Sequence, residues 1–299
     1  MSDTQSGPFI VTGASGHLGR QVINKLLSAG VSPIIAVTRS PDKLSGLAER
    51  GIDVRKGDFN DPASLGPAFA DGKRLLIIST DDLEPGKRLT AHSNAIAAAA
   101  KAGISHIVYT SLANPSEGNP ITFTADHRES EALIEATGVN YTILRNNLYT
   151  DLLLASGAQS IAMGKHFAAA ADGKTGYVTR ADCARAAAVA LMHETGSRIL
   201  DITGPAAISQ SEIAVIFSEL TGKDIPYIPI SAEQLRAAMV GNGLPEFMAK
   251  VFASFDEAMA QGYLDKASGD LEKLTGQAGQ SVRDFLNENK AALLAPSQH

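Results

Sequence analysis

Three glycines spaced three apart, Gly13, Gly16 and Gly19, separate an apolar run at residues 9–11 from a helix-periodic segment. In that segment Leu18, Val22, Ile23, Leu26 and Leu27 share one face. Strand, glycine turn and helix start, in that order, make a cradle for a diphosphate. Glycine permits a tight turn and close backbone approach, and the free N–H groups and positive end of the helix face the anion. Gly13, Ser15, Gly16, His17 and Leu18 are expected to form this cradle. The spacing is G-x-x-G-x-x-G, not G-x-G-x-x-G, and the flanking strand and helix distinguish it from incidental turn glycines.

Further candidates follow at the ends of later apolar runs. The second run ends Val37-Thr-Arg39-Ser, without the acid that would bond ribose hydroxyls in an NAD site. The planar fork of Arg39 can instead bond a 2′-phosphate, and Lys43 adds charge one turn into the next helix. The expected cofactor is therefore NADP(H). Asp58 can accept from an adenine amino group with Phe59 beside the ring, or Asp58 can cap a turn. Ser79 and Thr80 end the fourth run, where their hydroxyls either contact the cofactor path or cap the chain. Tyr109-Thr-Ser111-Leu ends the fifth run, at the edge where open parallel sheets place reactive groups.

To this point the chain resembles the short-chain dehydrogenase/reductase superfamily. Its main branch has a serine at the Ser111 position, followed on the next helix by Tyr-x-x-x-Lys. Here that helix reads Thr124-Ala-Asp-His127-Arg-Glu-Ser-Glu131, so His127 and Glu131 stand about where Tyr and Lys would. Together with Val11 to Gly19, Val37 to Lys43 and Tyr141-Thr-Ile-Leu-Arg-Asn-Asn-Leu-Tyr-Thr150, this order resembles the atypical NmrA-like branch. Within it the likeness is greatest to the type 2 NAD(P)H:quinone oxidoreductases and the triphenylmethane-dye reductases. It covers nearly the whole length and is strongest over residues 9–185.

The resemblance implies hydride transfer from NADPH to a quinone-like or conjugated aromatic acceptor. Such acceptors spread charge over a π system and need less proton donation than a simple ketone. His127 could supply a proton or be a structural histidine. Glu131, one turn on, could orient it or be a solvated helix charge. Ser111, His127, Asn147 and Tyr149 would surround nicotinamide and acceptor, the amides of Asn146 and Asn147 bonding the carboxamide or a substrate oxygen and Tyr149 stacking; the alternative for the last three is loop structure. NmrA-like proteins also include redox-sensing regulators that bind a dinucleotide without turning it over. A reductase or dehydrogenase of a specific secondary metabolite is a further alternative.

The elements that must position these residues alternate for about 145 residues. Strands are expected near residues 9–11, 33–37, 52–56, 74–79, 106–110 and 141–144. The first helix carries Leu18 to Leu27 and is ended by Gly30; further helices are expected at 42–50, from 61, at 85–102 and at 123–137. The fold class is α/β, a Rossmann-type doubly wound parallel sheet with a smaller, mainly helical C-terminal lobe. Residues 1–150 form the nucleotide domain, to which residues 176–204 return with a helix at 180–193 and a strand at 199–203. Residues 151–299 supply the lobe, with helices at 148–154, 209–221, 232–240, 245–261 and 281–292. Phe247, Met248, Phe252, Phe255 and Met259 are either its core or the lining of an apolar pocket.

Of 299 residues, 44% are hydrophobic and 19% charged, enough apolar material for a large core. The net charge of −6 argues against nucleic acid and anionic membranes as partners. The single cysteine, Cys183, excludes an internal disulfide and reads as a core thiol. The histidines lack metal-ligand spacing, so no metal is expected. Residues 1–8 read as a polar leader without a secretory signal. A cytoplasmic monomer or homodimer without a transmembrane helix is expected.

Overall fold

The computed structural model describes residues 7–84 and 86–294. The first elements follow the expected alternation: β1 (Phe9–Val11), α1 (His17–Ser28), β2 (Ile34–Thr38), α2 (Ser45–Ala48), β3 (Asp53–Lys56) and α3 (Pro62–Phe69). Then come β4 (Arg74–Ile77), α4 (Lys87–Lys101), β5 (His106–Leu112), α5 (Thr124–Ala136) and β6 (Asn140–Asn146). After α6 (Leu153–Met163), β7 (His166–Ala168) and β8 (Lys174–Thr175), the chain returns through α7 (Arg180–His193) to β9 (Arg198–Ile202).

Seven strands form one parallel sheet in the order β3-β2-β1-β4-β5-β6-β9. The order reverses between β1 and β4, which opens a crevice at the carboxyl ends of those two strands. Both faces of the sheet are covered, so its inner strands are unbroken apolar runs and not alternating ones. Phe9, Val11, Ala36, Leu76 and Val108 pack on one side beneath α1 and α7. Ile10, Ile35, Leu75, Ile107 and Tyr109 pack on the other beneath α3, α4 and α5. Ala184, Ala186, Ala187, Ala188 and Ala190 of α7 are buried and small, which lets α7 lie close against α1 and the sheet. Cys183 is buried in the same layer, as expected of a core thiol.

The remaining chain builds the lobe: β10 (Ile208–Ser209), α8 (Gln210–Thr221), β11 (Tyr227–Pro229), α9 (Ala232–Gly241) and α10 (Glu246–Ala260), then α11 (Asp270–Thr275), α12 (Val282–Glu288) and α13 (Lys290–Leu294). Its core gathers Phe217, Ile213, Met259, Leu264 and Phe285, and reaches back to Leu112, Ala113 and Leu148 at the sheet edge. Met259 is thus a core residue, Phe247 is exposed, and Phe252 and Phe255 are half-buried.

Two local expectations need correction. The helix over 42–50 is a 3-10 turn, Pro41–Leu44, followed by the single turn α2. The helix expected at 148–154 starts later, because Tyr149 still pairs in extended form with Val178; α6 then runs on to Met163. The glycine- and alanine-rich stretch at 164–176 contains β7 and β8, whose partners are β11 and β10. Of the leader at residues 1–8, residues 1–6 lie outside the described residues, as does Pro85 at the start of the helix expected there.

Candidate active site

The glycine turn sits at the reversal point. Gly13 takes a φ of +60°, a left-handed backbone that only glycine adopts without strain. Gly16 N–H then donates to Gly13 O at 2.9 Å and closes the turn. Thr12 pins it to β4, donating to Leu76 O (3.0 Å) and accepting from Ile78 N–H (3.0 Å). Ala14 N–H ties it to β2 through Val37 O. Gly16 caps α1 with no side-chain bond, so the first N–H groups of the helix stay available to an anion. Gly13, Gly16 and His17 are exposed; Leu18 buries its side chain and has only its N–H to offer.

Around the turn, Ser15 Oγ and Thr38 Oγ1 are 2.9 Å apart, so the serine is anchored to the end of β2. Arg20 donates to Ser15 O (3.0 Å) and Lys43 O (2.9 Å), joining the glycine loop to the loop after β2. Arg39 and Lys43 are exposed on that second loop. Asp58 caps its own turn, Oδ1 accepting from Asn60 N–H at 2.9 Å, while Phe59 is half-buried. An open groove of about 560 Å³, lined by Asn60, Asp82, Gly86, Lys87 and Thr90, lies between this turn and the start of α4. Ser79 and Thr80 also pin the chain: Ser79 N–H donates to Thr110 Oγ1 (2.9 Å) and Thr80 N–H to His92 Nε2 (3.0 Å). These glycines, donors and cations fit a phosphorylated dinucleotide. A side chain at Gly19 would collide with the backbone of the turn, its Cβ 2.4 Å from Gly13 O.

At the ends of β5 and β6 the structure differs from the expected roles. Ser111 donates to Glu131 Oε1 at 2.6 Å, so its proton is committed. Glu131 does not orient His127. Its carboxylate takes a bidentate fork from Arg145, Nε to Oε1 at 3.0 Å and Nη2 to Oε2 at 2.6 Å. It is a buried ion-pair partner and not a solvated charge. The Asn147 amide is consumed by the lobe: Nδ2 donates to Leu264 O (2.9 Å) and Oδ1 accepts from Leu148 N–H (2.8 Å). The neighbouring Asn146 Oδ1 is buried without a hydrogen-bond partner among the described residues. One face of Tyr149 is covered by the Arg180 guanidinium, 5.1 Å from the ring centre, so that face cannot stack on an acceptor.

His127 is turned inward and buried. It faces Phe123 (ring centres 5.8 Å apart), which leads on to Phe255 of α10 at 6.0 Å. The Arg88 guanidinium lies 4.5 Å over Phe123, its Nε buried without a hydrogen-bond partner among the described residues. Arg88, His92 and Tyr109 were not singled out from sequence. One signal was available: α4 and α5 turn polar residues inward at helical spacing, Arg88 and His92 on one and His127, Ser130 and Glu131 on the other.

Burial holds these rings neutral. It drives His127 well below the usual imidazole range, helped by Arg88 and His92. Burial, then Arg88, takes His92 down to about 3. Burial, then Arg74, takes His106 to about 4, and burial also lowers His166. The unfolded chain protonates each ring near pH ~6.5, so stability is held above that pH and lost as pH falls toward the depressed folded values. Denaturant titrations are expected to show a loss approaching ~1.4 kcal/mol per pH unit per ring on acidification. A flat stability curve over that window would contradict it.

A family model described as NAD(P)H-binding matches residues 13–194, more than half of the chain. The chain belongs to this NAD(P)H-binding family. Quinone oxidoreductase 2 of Escherichia coli K12 is 35% identical over 286 residues, covering 93% of this chain and 99% of that one. The crystal structure of the NADPH-dependent quinone oxidoreductase of Escherichia coli complexed with NADPH superposes with a TM-score of 0.88 at 34% identity, covering 94% and 99%. That of Citrobacter sp. triphenylmethane reductase complexed with NADP(H) gives 0.87 at 36%, covering 94% and 99%. This NAD(P)H-binding chain is an atypical, NmrA-like member of the short-chain dehydrogenase/reductase superfamily. No helix among its described residues is long and apolar enough to cross a membrane.

Proposed function

We propose that the chain is an NADPH-dependent oxidoreductase that transfers hydride to a quinone-like or conjugated aromatic acceptor. The observation that carries the reading is the uncapped helix start behind the glycine turn, at the reversal point of the sheet, with Arg39 exposed beyond β2. Backbone donors of Gly13, Ser15, Gly16, His17 and Leu18 would hold the diphosphate, and Arg39 with Lys43 the 2′-phosphate. Asp58 and Phe59 would stand at the adenine, with Ser79 and Thr80 along the path. Bound NADPH supplies a hydride. His127 would meet the oxygen of the acceptor, and Phe123 and Phe255 would give the site an apolar wall. The working form is read as a cytoplasmic monomer or homodimer that engages a small acceptor.

Arg39→Glu tests this reading. Replacing a cation with an anion against a phosphate is expected to raise the Kd for NADPH about 100-fold while leaving NADH binding nearly unchanged. Fluorescence titration reads both constants, and an unchanged preference removes Arg39 from the site.

A redox sensor that binds NADP(H) without turnover is the second reading. It is favoured by the committed Ser111 proton and by the missing Tyr-x-x-x-Lys. A panel of quinones, dyes and ketones separates the two, because turnover excludes the sensor.

A further inference from the structure

A chain of polar groups runs behind the carboxyl end of β5, and its donors and acceptors can be assigned one by one. Thr80 N–H donates to His92 Nε2 at 3.0 Å, so the neutral His92 ring carries its proton on Nδ1. Ser130 gives its hydroxyl proton to Asp126 O at 2.6 Å, so it accepts from His92 Nδ1–H at 2.9 Å. The Tyr109 hydroxyl lies 3.2 Å from that same Nδ1 and 2.8 Å from His127 Nδ1. His92 Nδ1 already bears a proton, and Ser130, which also faces the phenol, already accepts from His92; at 2.8 Å the nearest acceptor for the phenol proton is His127 Nδ1. The neutral His127 ring therefore holds its own proton on Nε2.

Nε2 has no hydrogen-bond partner among the described residues. Nor is it one of the partnerless polar atoms sealed from solvent, as Arg88 Nε and Asn146 Oδ1 are. It is a spare donor on a residue that keeps 4% of its surface exposed, beside Phe123 and at the sheet edge where the acceptor is proposed to lie.

We propose that Thr80, His92, Ser130 and Tyr109 are positioning residues that lock His127 as the neutral Nε2–H tautomer, aimed to donate a hydrogen bond to a carbonyl oxygen of the acceptor. The acceptor gains hydride and its electron pair, and negative charge collects on that oxygen. His127 stabilises the charge without giving up its proton, and water supplies the proton that completes the reduced product. The charged and titratable groups around the ring agree with this role. From α4, Arg88 and His92 oppose an imidazolium; β5 contributes the Tyr109 hydroxyl; on α5, Asp126 turns its carbonyl to Ser130 and Glu131 is paired to Arg145. The tautomer rests on the network alone, and only the acceptor's part rests on the proposed function.

Long-range proton–nitrogen spectra of the cofactor-free protein with labelled histidine, assigned with His127→Gln, test the tautomer. The Nε2–H form is expected at His127 from about pH 8 down to about pH 5. Tyr109→Phe is expected to mix the two tautomers, to lower kcat about tenfold with KM little changed, and to leave the pH profile flat. His127→Ala is expected to cost about 100-fold in kcat, with His127→Gln recovering part of it. An Nδ1–H ring, an imidazolium at neutral pH, or a tautomer indifferent to Tyr109→Phe overturns the proposal. The expected spectra without turnover of any quinone or dye would uphold the lock and overturn the oxidoreductase reading.

Discussion

Gly19→Ala is expected to weaken NADPH binding at least about 100-fold, equivalent to ~2.7 kcal/mol. Helix propensity pulls the other way, since alanine in a helix interior is favoured over glycine by ~1 kcal/mol. The contact decides. A Cβ at Gly19 would stand 2.4 Å from Gly13 O and 2.9 Å from Ala14 Cα, both backbone atoms with no rotamer to change. Gly13 O is also the acceptor that closes the turn with Gly16 N–H. Moving it opens the loop and turns the donors of α1 away from the phosphates. Gly46→Ala is the control, because nothing lies within 4 Å of its Cβ and its backbone is not left-handed. Fluorescence titration measures affinity and circular dichroism the fold. A Gly19→Ala protein that binds NADPH like the parent would mean that the cradle is elsewhere.

The glycine turn could be read from sequence because everything it needs is local: three residues of one type, an apolar run before and a helical period after. The central strands were legible for a similar reason. A strand buried on both faces is a continuous apolar run, and helices between such runs dictate a parallel sheet. The lobe was harder. β7, β8, β10 and β11 have two or three residues each, too few for a period, and they exist because segments about 30 to 60 residues apart in the chain pair. Site residues divide along the same line. Arg39 could be proposed from the missing acid beside it, and the structure leaves it exposed on the loop after β2. The Asn147 amide looked free until the lobe supplied Leu264 O, a partner 117 residues away. Tyr109 looked like one more core aromatic in an apolar strand, since its hydroxyl meets histidines contributed by two different helices.

Glu131→Ala is expected to destabilise the protein by ~2–3 kcal/mol and to lower turnover as well. Ser111 and Arg145 are register neighbours on β5 and β6, and Glu131 reaches both from α5. The carboxylate thus clips α5 to the sheet one helical turn after His127. Removing it leaves a hydroxyl without its acceptor and a guanidinium, raised above its ordinary pKa chiefly by the hydrogen bond to Glu131, without its counter-charge. Breaking a fully buried pair costs ~3–5 kcal/mol; the Arg145 side chain is 28% exposed, so water recovers part of that. Glu131→Gln keeps an oxygen for Ser111 and should lose about half as much. Denaturant midpoints for Glu131→Ala, Arg145→Ala and the double variant give the coupling directly, expected at ~1–3 kcal/mol. Additive losses would mean that the pair is incidental to the docking of α5. A coupled loss accompanied by a change in kcat would tie the clip to the placement of His127.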